Sequence, residues 1–298
     1  MTTIAEQLGD LLPFASNFFG PEGRRQHYLD EGSGRPVVML HGNPTWCYYY
    51  RNLVGRLRTT HRCIVPDHIG CGLSDAPSAE AYGYSLDDRV DDLDALLIEL
   101  VPEGTIDLVL HDWGGMIGMA WAHRNPERVG RFVILNTAGF SLPTDQPLPR
   151  SIAFARSGLG RWLIERHSFF ARSASYMAFC KPVSGAVRRA YRAPYEPRAR
   201  RVATRRFVED IPLAEGDPAF ATVAAVEAGL HQFAERQALI CWGLKDFVFT
   251  ERFLAKWAKH WPRAEVVRYP DCGHYVLEDA APQILGTITD FLEAPHDG

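Results

Sequence analysis

The chain has 298 residues, with 32 Lys/Arg against 36 Asp/Glu and a net charge of −4. That balance argues against a nucleic-acid partner, and 46% hydrophobic residues can fill a large core. No apolar run approaches the roughly 20 residues that span a bilayer, no basic residue precedes Arg24 to start a signal peptide, and the six cysteines form no CxxC pair, so the expectation is a cytoplasmic protein with no transmembrane segment, disulfide framework, metal or cofactor.

Residues 1–23 read as an extended lead-in, and Arg25–Asp30 as an outer strand. Pro36–Leu40 (PVVML) is a short β-branched run, typical of a buried strand. It ends in the turn cluster His41-Gly42-Asn43-Pro44-Thr45. Tyr48–Arg58 reads as helix, Arg62–Pro66 as strand, and 67–75 as a glycine-rich loop. Ser85–Leu100 is the clearest helix: Ser85 can cap it with Asp88 three residues on, and Leu86, Val90, Leu93, Leu97 and Leu100 share one face. A strand at Ile106–Leu110 leads into His111-Asp112-Trp113-Gly114-Gly115. Met116–His123 then reads as helix and Arg131–Asn136 as strand. Strands alternating with helices predict an α/β fold with a mostly parallel sheet flanked by helices. Ligands in such sheets sit beyond the C-terminal strand ends.

The alternation stops near Gly139. Residues 140–228 are rich in arginine and aromatics and are expected to form a helical cap. The core would then comprise 1–139 and 229–298, resuming with the strands Ala238–Trp242 and Glu265–Tyr269 and closing with a helix at Ala281–Glu293. Between Arg150 and Arg206 there are 14 Lys/Arg and 2 Asp/Glu. Such a segment either faces a partner or pairs with the acidic core. Phe154, Trp162, Leu163, Phe169, Phe170, Met177 and Phe179 offer apolar surface for a pocket or for helix packing.

An acid at the tip of a buried strand is costly without a task. Nucleophilic catalysis on this type of sheet needs a nucleophile on a strand-to-helix turn, then an acid, then a histidine base, in that chain order. Asp112, Asp246 and His274 follow predicted strands in that order. A carboxylate in place of serine changes the chemistry. Attack on an ester would give an anhydride, whereas displacement at sp³ carbon gives an alkyl ester. Backbone N–H groups of Asn43 and Trp113 are candidates for an oxyanion site, and their side chains are neutral donors for a displaced anion.

The segments HGNPTW (41–46), PDHIGCGLSD (66–75), HDWGG (111–115), WGLKDFVF (242–249) and DCGHYVLED (271–279) together resemble an α/β-hydrolase of the haloalkane dehalogenase group. The resemblance implies Asp112 as nucleophile, His274 as base, Asp246 as orienting acid, and Asn43 with Trp113 as the leaving-group site. In one branch of the group a glutamate follows the strand after the nucleophile helix; here that strand ends in Ile134-Leu135-Asn136-Thr137 with no acid, so Asp246 is the better choice and the triad resembles the third branch. That branch includes the β-lactone decarboxylases of bacterial long-chain olefin biosynthesis. The 67–75 loop, ARSASYMAFCKPVS (171–184), RFVEDIPL (206–213) and DFVF (246–249) look closer to those enzymes. The implied reaction converts a cis-3,4-dialkyl β-lactone to a cis-alkene and CO₂. Its substrate is an apolar, long-chain alkyl small molecule, and partner enzymes of the olefin pathway could meet the basic cap. The alternative is haloalkane dehalogenation through an alkyl-aspartate ester. Epoxide hydrolysis is a more distant alternative, for which Tyr176, Tyr191 and Tyr195 would be the candidate proton donors.

Overall fold

The β-branched runs line up as the centre of an eight-stranded sheet in the computed structural model, which describes Ile4 and residues 8–143 and 148–295. The strands are β1 (Asn17–Phe19), β2 (Gln26–Glu31), β3 (Arg35–Leu40), β4 (His61–Pro66), β5 (Ile106–Asp112), β6 (Val129–Thr137), β7 (Ala238–Gly243) and β8 (Glu265–Tyr269). Their order is β1-β2-β4-β3-β5-β6-β7-β8. Only β2 runs antiparallel to its neighbours β1 and β4. Every residue of β5, β6 and β7 is buried, as expected for strands covered on both faces. The lead-in departs from expectation: Asn17–Phe19 pairs with Gln26–Tyr28 as a strand too short to announce itself by alternation.

Core helices are α1 (Arg51–Leu57), α2 (Leu86–Leu100) and α3 (Trp113–Arg124). The Ser85–Asp88 capping box forms with both reciprocal bonds. Leu86, Val90, Leu93 and Leu97 are buried, while Leu100 at the last turn is only partly covered. Helix α3 begins at Trp113, three residues earlier than its apolar pattern suggests. Its two glycines are the reason it can start there. A Cβ on Gly114 would overlap the Leu40 carbonyl, and one on Gly115 would overlap the Thr137 hydroxyl. The first turn of α3 thus presses directly onto the ends of β3 and β6, with no space for a side chain.

Between β6 and β7 the described residues form helices and 3₁₀ turns only: α4 (Arg150–Arg156), α5 (Gly158–His167), α6 (Phe169–Met177), α7 (Gly185–Arg192), α8 (Val202–Glu209) and α9 (Phe220–Gly229). After β7 come α10 (Glu251–His260), α11 (Val276–Asp279) and α12 (Gln283–Glu293). The arginine-rich segment is largely satisfied by itself rather than by the core domain's acids. Arg156 pairs with Asp217, Arg161 with Glu209, and Arg205 with both Glu165 and Glu209. Arg200 and Arg201 spend their guanidinium groups on backbone carbonyls. No helix among the described residues is long and apolar enough to cross a membrane.

Two substitutions separate capping from close packing. Ser85→Ala should cost about 1 kcal/mol. Gly114→Ala must move backbone at β3 and should cost about 3 kcal/mol. Urea denaturation monitored by far-UV circular dichroism reads both.

Candidate active site

The loop ends of β3, β5, β7 and β8 meet at one point, and Asp112 lies at its centre. Asp112 adopts φ +52°, ψ −126°, a left-handed conformation that L-residues avoid and that the surrounding structure must hold in place. This sharp corner between β5 and α3 lets the carboxyl leave the sheet edge. The Thr137 hydroxyl donates to the Asp112 carbonyl and ties the corner to β6. Gly42 is needed on the other side, where a Cβ would overlap the Asp112 carboxyl. Asp112 Oδ1 accepts from the Asn43 backbone N–H at 2.6 Å. The Trp113 backbone N–H also bonds to the carboxyl. Oδ1 therefore sits against the Asn43 amide, and the other oxygen, Oδ2, lies 3.6 Å from His274 Nε2.

His274 is oriented from behind. Its Nδ1 donates to Asp246 Oδ2 at 2.8 Å. Asp246 also accepts from Asn136 Nδ2 at 3.1 Å and from the Val248 and Phe249 N–H groups at 2.7 and 3.1 Å. The His274 carbonyl accepts from His111 Nε2 at 2.9 Å, and Phe249 stacks on the imidazole with ring centres 5.7 Å apart. His274 is thus fixed at both ring and backbone.

Burial sets the electrostatics. It pushes the Asp112 carboxyl up, opposed by the His274 charge and by the N–H groups of Asn43 and Trp113. For His274, burial is the largest influence and acts downward. The charge and hydrogen bond of Asp246, with the charge of Asp112, outweigh it, so the net shift is upward. The carboxyl groups on either side of His274 thus favour its protonated form more than water does.

A cavity of about 410 Å³ opens beside Asp112, bounded by Asn43, Trp113 and His274 and otherwise mostly by apolar side chains. Four of the five site residues predicted from sequence line it, and Asp246 is buried behind His274. The Asn43 amide gives one bond to the Thr204 carbonyl at 3.1 Å. No described residue accepts from the Trp113 indole N–H. Phe154, Phe169, Phe170 and Met177 line the cavity as expected, whereas Trp162 is exposed and Phe179 packs on Tyr191 and Tyr275. None of Tyr176, Tyr191 and Tyr195 lines it; Tyr191 donates to Glu278 and Tyr195 to the Thr45 carbonyl. The tyrosine pair that epoxide opening would need is therefore not at the site.

One group of metal-capable side chains stands out among the described residues: His27, Cys47 and Asp67, all buried. Hydrogen bonds occupy it. His27 Nδ1 meets Asp67 Oδ2 at 2.8 Å, and Asp67 Oδ1 accepts from the Cys47 N–H at 2.6 Å. It ties the loops after β3 and β4 together.

Sequence reasoning missed Asn136, His111 and Phe249. Asn136 was legible only as the absence of an acid after β6. Its φ of +30° and its bonds to Asp246 and to both backbone groups of Gly243 make it a clamp for the acid loop.

A titration tests the electrostatic arrangement. His274 is raised on folding, so its imidazolium contributes stability that is full below about pH 6.5 and lost as pH rises through the folded-state value. Asp246→Asn should move the His274 titration downward in an imidazole NMR series and flatten that loss. An unchanged midpoint would contradict the assignment of Asp246 as the partner.

A family profile described as the alpha/beta hydrolase fold matches residues 35–281. A protein of Shewanella oneidensis named cis-3-alkyl-4-alkyloxetan-2-one decarboxylase is 50% identical over 96% of this chain and 90% of its own length. One of the same name from Xanthomonas campestris pv. campestris is 47% identical over 91% and 93%. Among solved structures, a haloalkane dehalogenase of Agrobacterium tumefaciens C58 superposes with a TM-score of 0.83 at 26% identity, covering 96% of this chain and 97% of that one. The chain belongs to the α/β-hydrolase family, within its haloalkane-dehalogenase-like group.

Proposed function

We propose that this chain is a cis-3-alkyl-4-alkyloxetan-2-one decarboxylase, converting a cis-dialkyl β-lactone into a cis-alkene and CO₂. The observation that carries the reading is 50% identity over 96% of the chain to a protein named for that reaction. The geometry supports it through an aspartate, not a serine, at the strand-to-helix corner of an apolar cavity.

In this reading Asp112 Oδ2 attacks the sp³ ring carbon that carries the lactone oxygen. That C–O bond breaks, and the ring oxygen leaves as part of a free carboxylate. The Asn43 amide and the Trp113 indole N–H are the neutral donors for that anion. The bond to the carboxylate carbon then breaks and CO₂ departs. Its electron pair forms the alkene while the ester C–O bond to Asp112 breaks, restoring the carboxylate. Inversion at the attacked carbon followed by anti departure puts both alkyl groups on one side, as a cis product requires. No water is consumed. His274 balances charge at Asp112 Oδ2, and Asp246 with Asn136 holds it there. Residues 140–228 act as the cap that supplies most of the apolar wall. Six unpaired thiols, with Cys180 exposed, support a reducing, cytoplasmic setting.

Haloalkane dehalogenation is the second reading. The observation in its favour is that Oδ1 accepts from the Asn43 amide, with the Trp113 amide also at the carboxyl, while Nε2 of His274 faces Oδ2. An alkyl ester on Asp112 could then be hydrolysed by water that His274 activates, with the oxyanion held by the amides.

The readings separate on two substrates. Incubation with a cis-dialkyl β-lactone should release alkene and CO₂, and incubation with a bromoalkane should release no bromide. The reverse outcome would assign the protein as a dehalogenase. In either case Asp112→Ala should lower turnover by about 10⁴-fold or more; a fully active variant would exclude Asp112 as the nucleophile.

A further inference from the structure

Three consecutive cap helices carry the same surface pattern. On α4, Arg150 and Phe154 lie four residues apart. On α5, Leu159, Trp162 and Arg166 follow at i, i+3 and i+7. On α6, Phe169, Arg172 and Tyr176 repeat that spacing. These spacings put each set on one helix face. The large apolar members are all exposed: Leu159 by 59%, Trp162 by 54% and Tyr176 by 60%. They are also neighbours. The Phe154 and Phe169 rings meet edge to face at 5.9 Å, and Gly160 sits against the Phe154 carbonyl, which brings the start of α5 onto the end of α4.

This face surrounds the mouth of the cavity. Phe154, Phe169, Met177 and Phe247 are exposed and also line the cavity beside Asp112. An apolar patch continuous with an apolar cavity is an expensive surface to leave in water. Its charge is one-sided. Among the described residues, no acid pairs with Arg150 or Arg166, and Arg172 meets only the half-exposed Glu196 at 3.6 Å.

We propose that the α4–α6 face docks on an anionic bilayer surface, with the cavity mouth opening toward the lipid. Exposed Trp, Phe and Leu interleaved with arginine is the composition that sits at the boundary between acyl chains and anionic headgroups. Each arginine gains from the negative surface potential, and the aromatic side chains enter the interface. A substrate that partitions into the bilayer would then reach Asp112 without crossing water. That consequence rests on the alkyl-lactone reading. The docking itself does not, because it is measured without turnover.

Co-sedimentation with vesicles tests it. The protein should pellet with phosphatidylcholine vesicles carrying about a third phosphatidylglycerol, much less with pure phosphatidylcholine, and less as salt rises. Trp162→Glu and Arg166→Glu should each lower anionic-vesicle binding by about tenfold, while Trp162→Phe retains it. Neither Trp162 nor Arg166 lines the cavity, so turnover of a short-chain substrate in vesicle-free buffer should stay unchanged in all three variants. No binding, equal binding to neutral and anionic vesicles, or binding insensitive to both substitutions would overturn the proposal. A wild-type oligomer that dissociates on Trp162→Glu would also overturn it, by assigning the face to a second protein copy. Vesicle binding without lactone decarboxylation would leave the docking standing and remove only the lactone reading.

Discussion

A buried carboxylate at the end of β5 is the constraint to which the surrounding structure answers. An isolated charge in an apolar cavity is prohibitively costly, so Asp112 must be compensated from several directions. The Asn43 amide holds Oδ1, and His274 Nε2 faces Oδ2. His274 is itself held by Asp246, which accepts from its Nδ1. Asp246 in turn is satisfied by Asn136 and two backbone N–H groups. The chain of compensation spans the ends of five strands, so the site geometry and the stability of the sheet edge are the same problem.

Small residues and a strained corner keep these groups close. Gly42 and Gly114 stand where any Cβ would strike the Asp112 carboxyl or the Leu40 carbonyl. The left-handed backbone of Asp112 lets its carboxyl project above the sheet while α3 starts immediately behind it. The strain is offset by the packing of α3 on β3, β5 and β6. The aspartate at the corner then faces a cavity whose wall is mostly apolar.

Much of this was legible in the chain itself. The alternation of apolar runs with helix patterns located the central strands, since burial on both faces demands continuous apolar segments. Asp112, Asp246 and His274 stood out because each follows a strand, in the order the chemistry requires. Asn136 and His111 were hidden, because their roles are contacts made across more than a hundred residues. Phe249 was part of a recognised motif, yet its stacking on His274 depends on how that loop turns. The arginines showed the opposite failure. Composition marked a basic segment, but it could not show that Arg156 pairs with Asp217 and that Arg161 and Arg205 both pair with Glu209.

The sequence by itself determined the fold class and most of the core elements, because hydrophobic period is a local property. Only the tertiary structure decided which oxygen of Asp112 is held by the Asn43 amide and which faces His274. It alone decided that Asn136 braces Asp246, that Tyr176, Tyr191 and Tyr195 stay out of the cavity, and that exposed apolar side chains rim it. Those are relations between surfaces brought together by folding, and no local pattern encodes a distance between loops on separate strands.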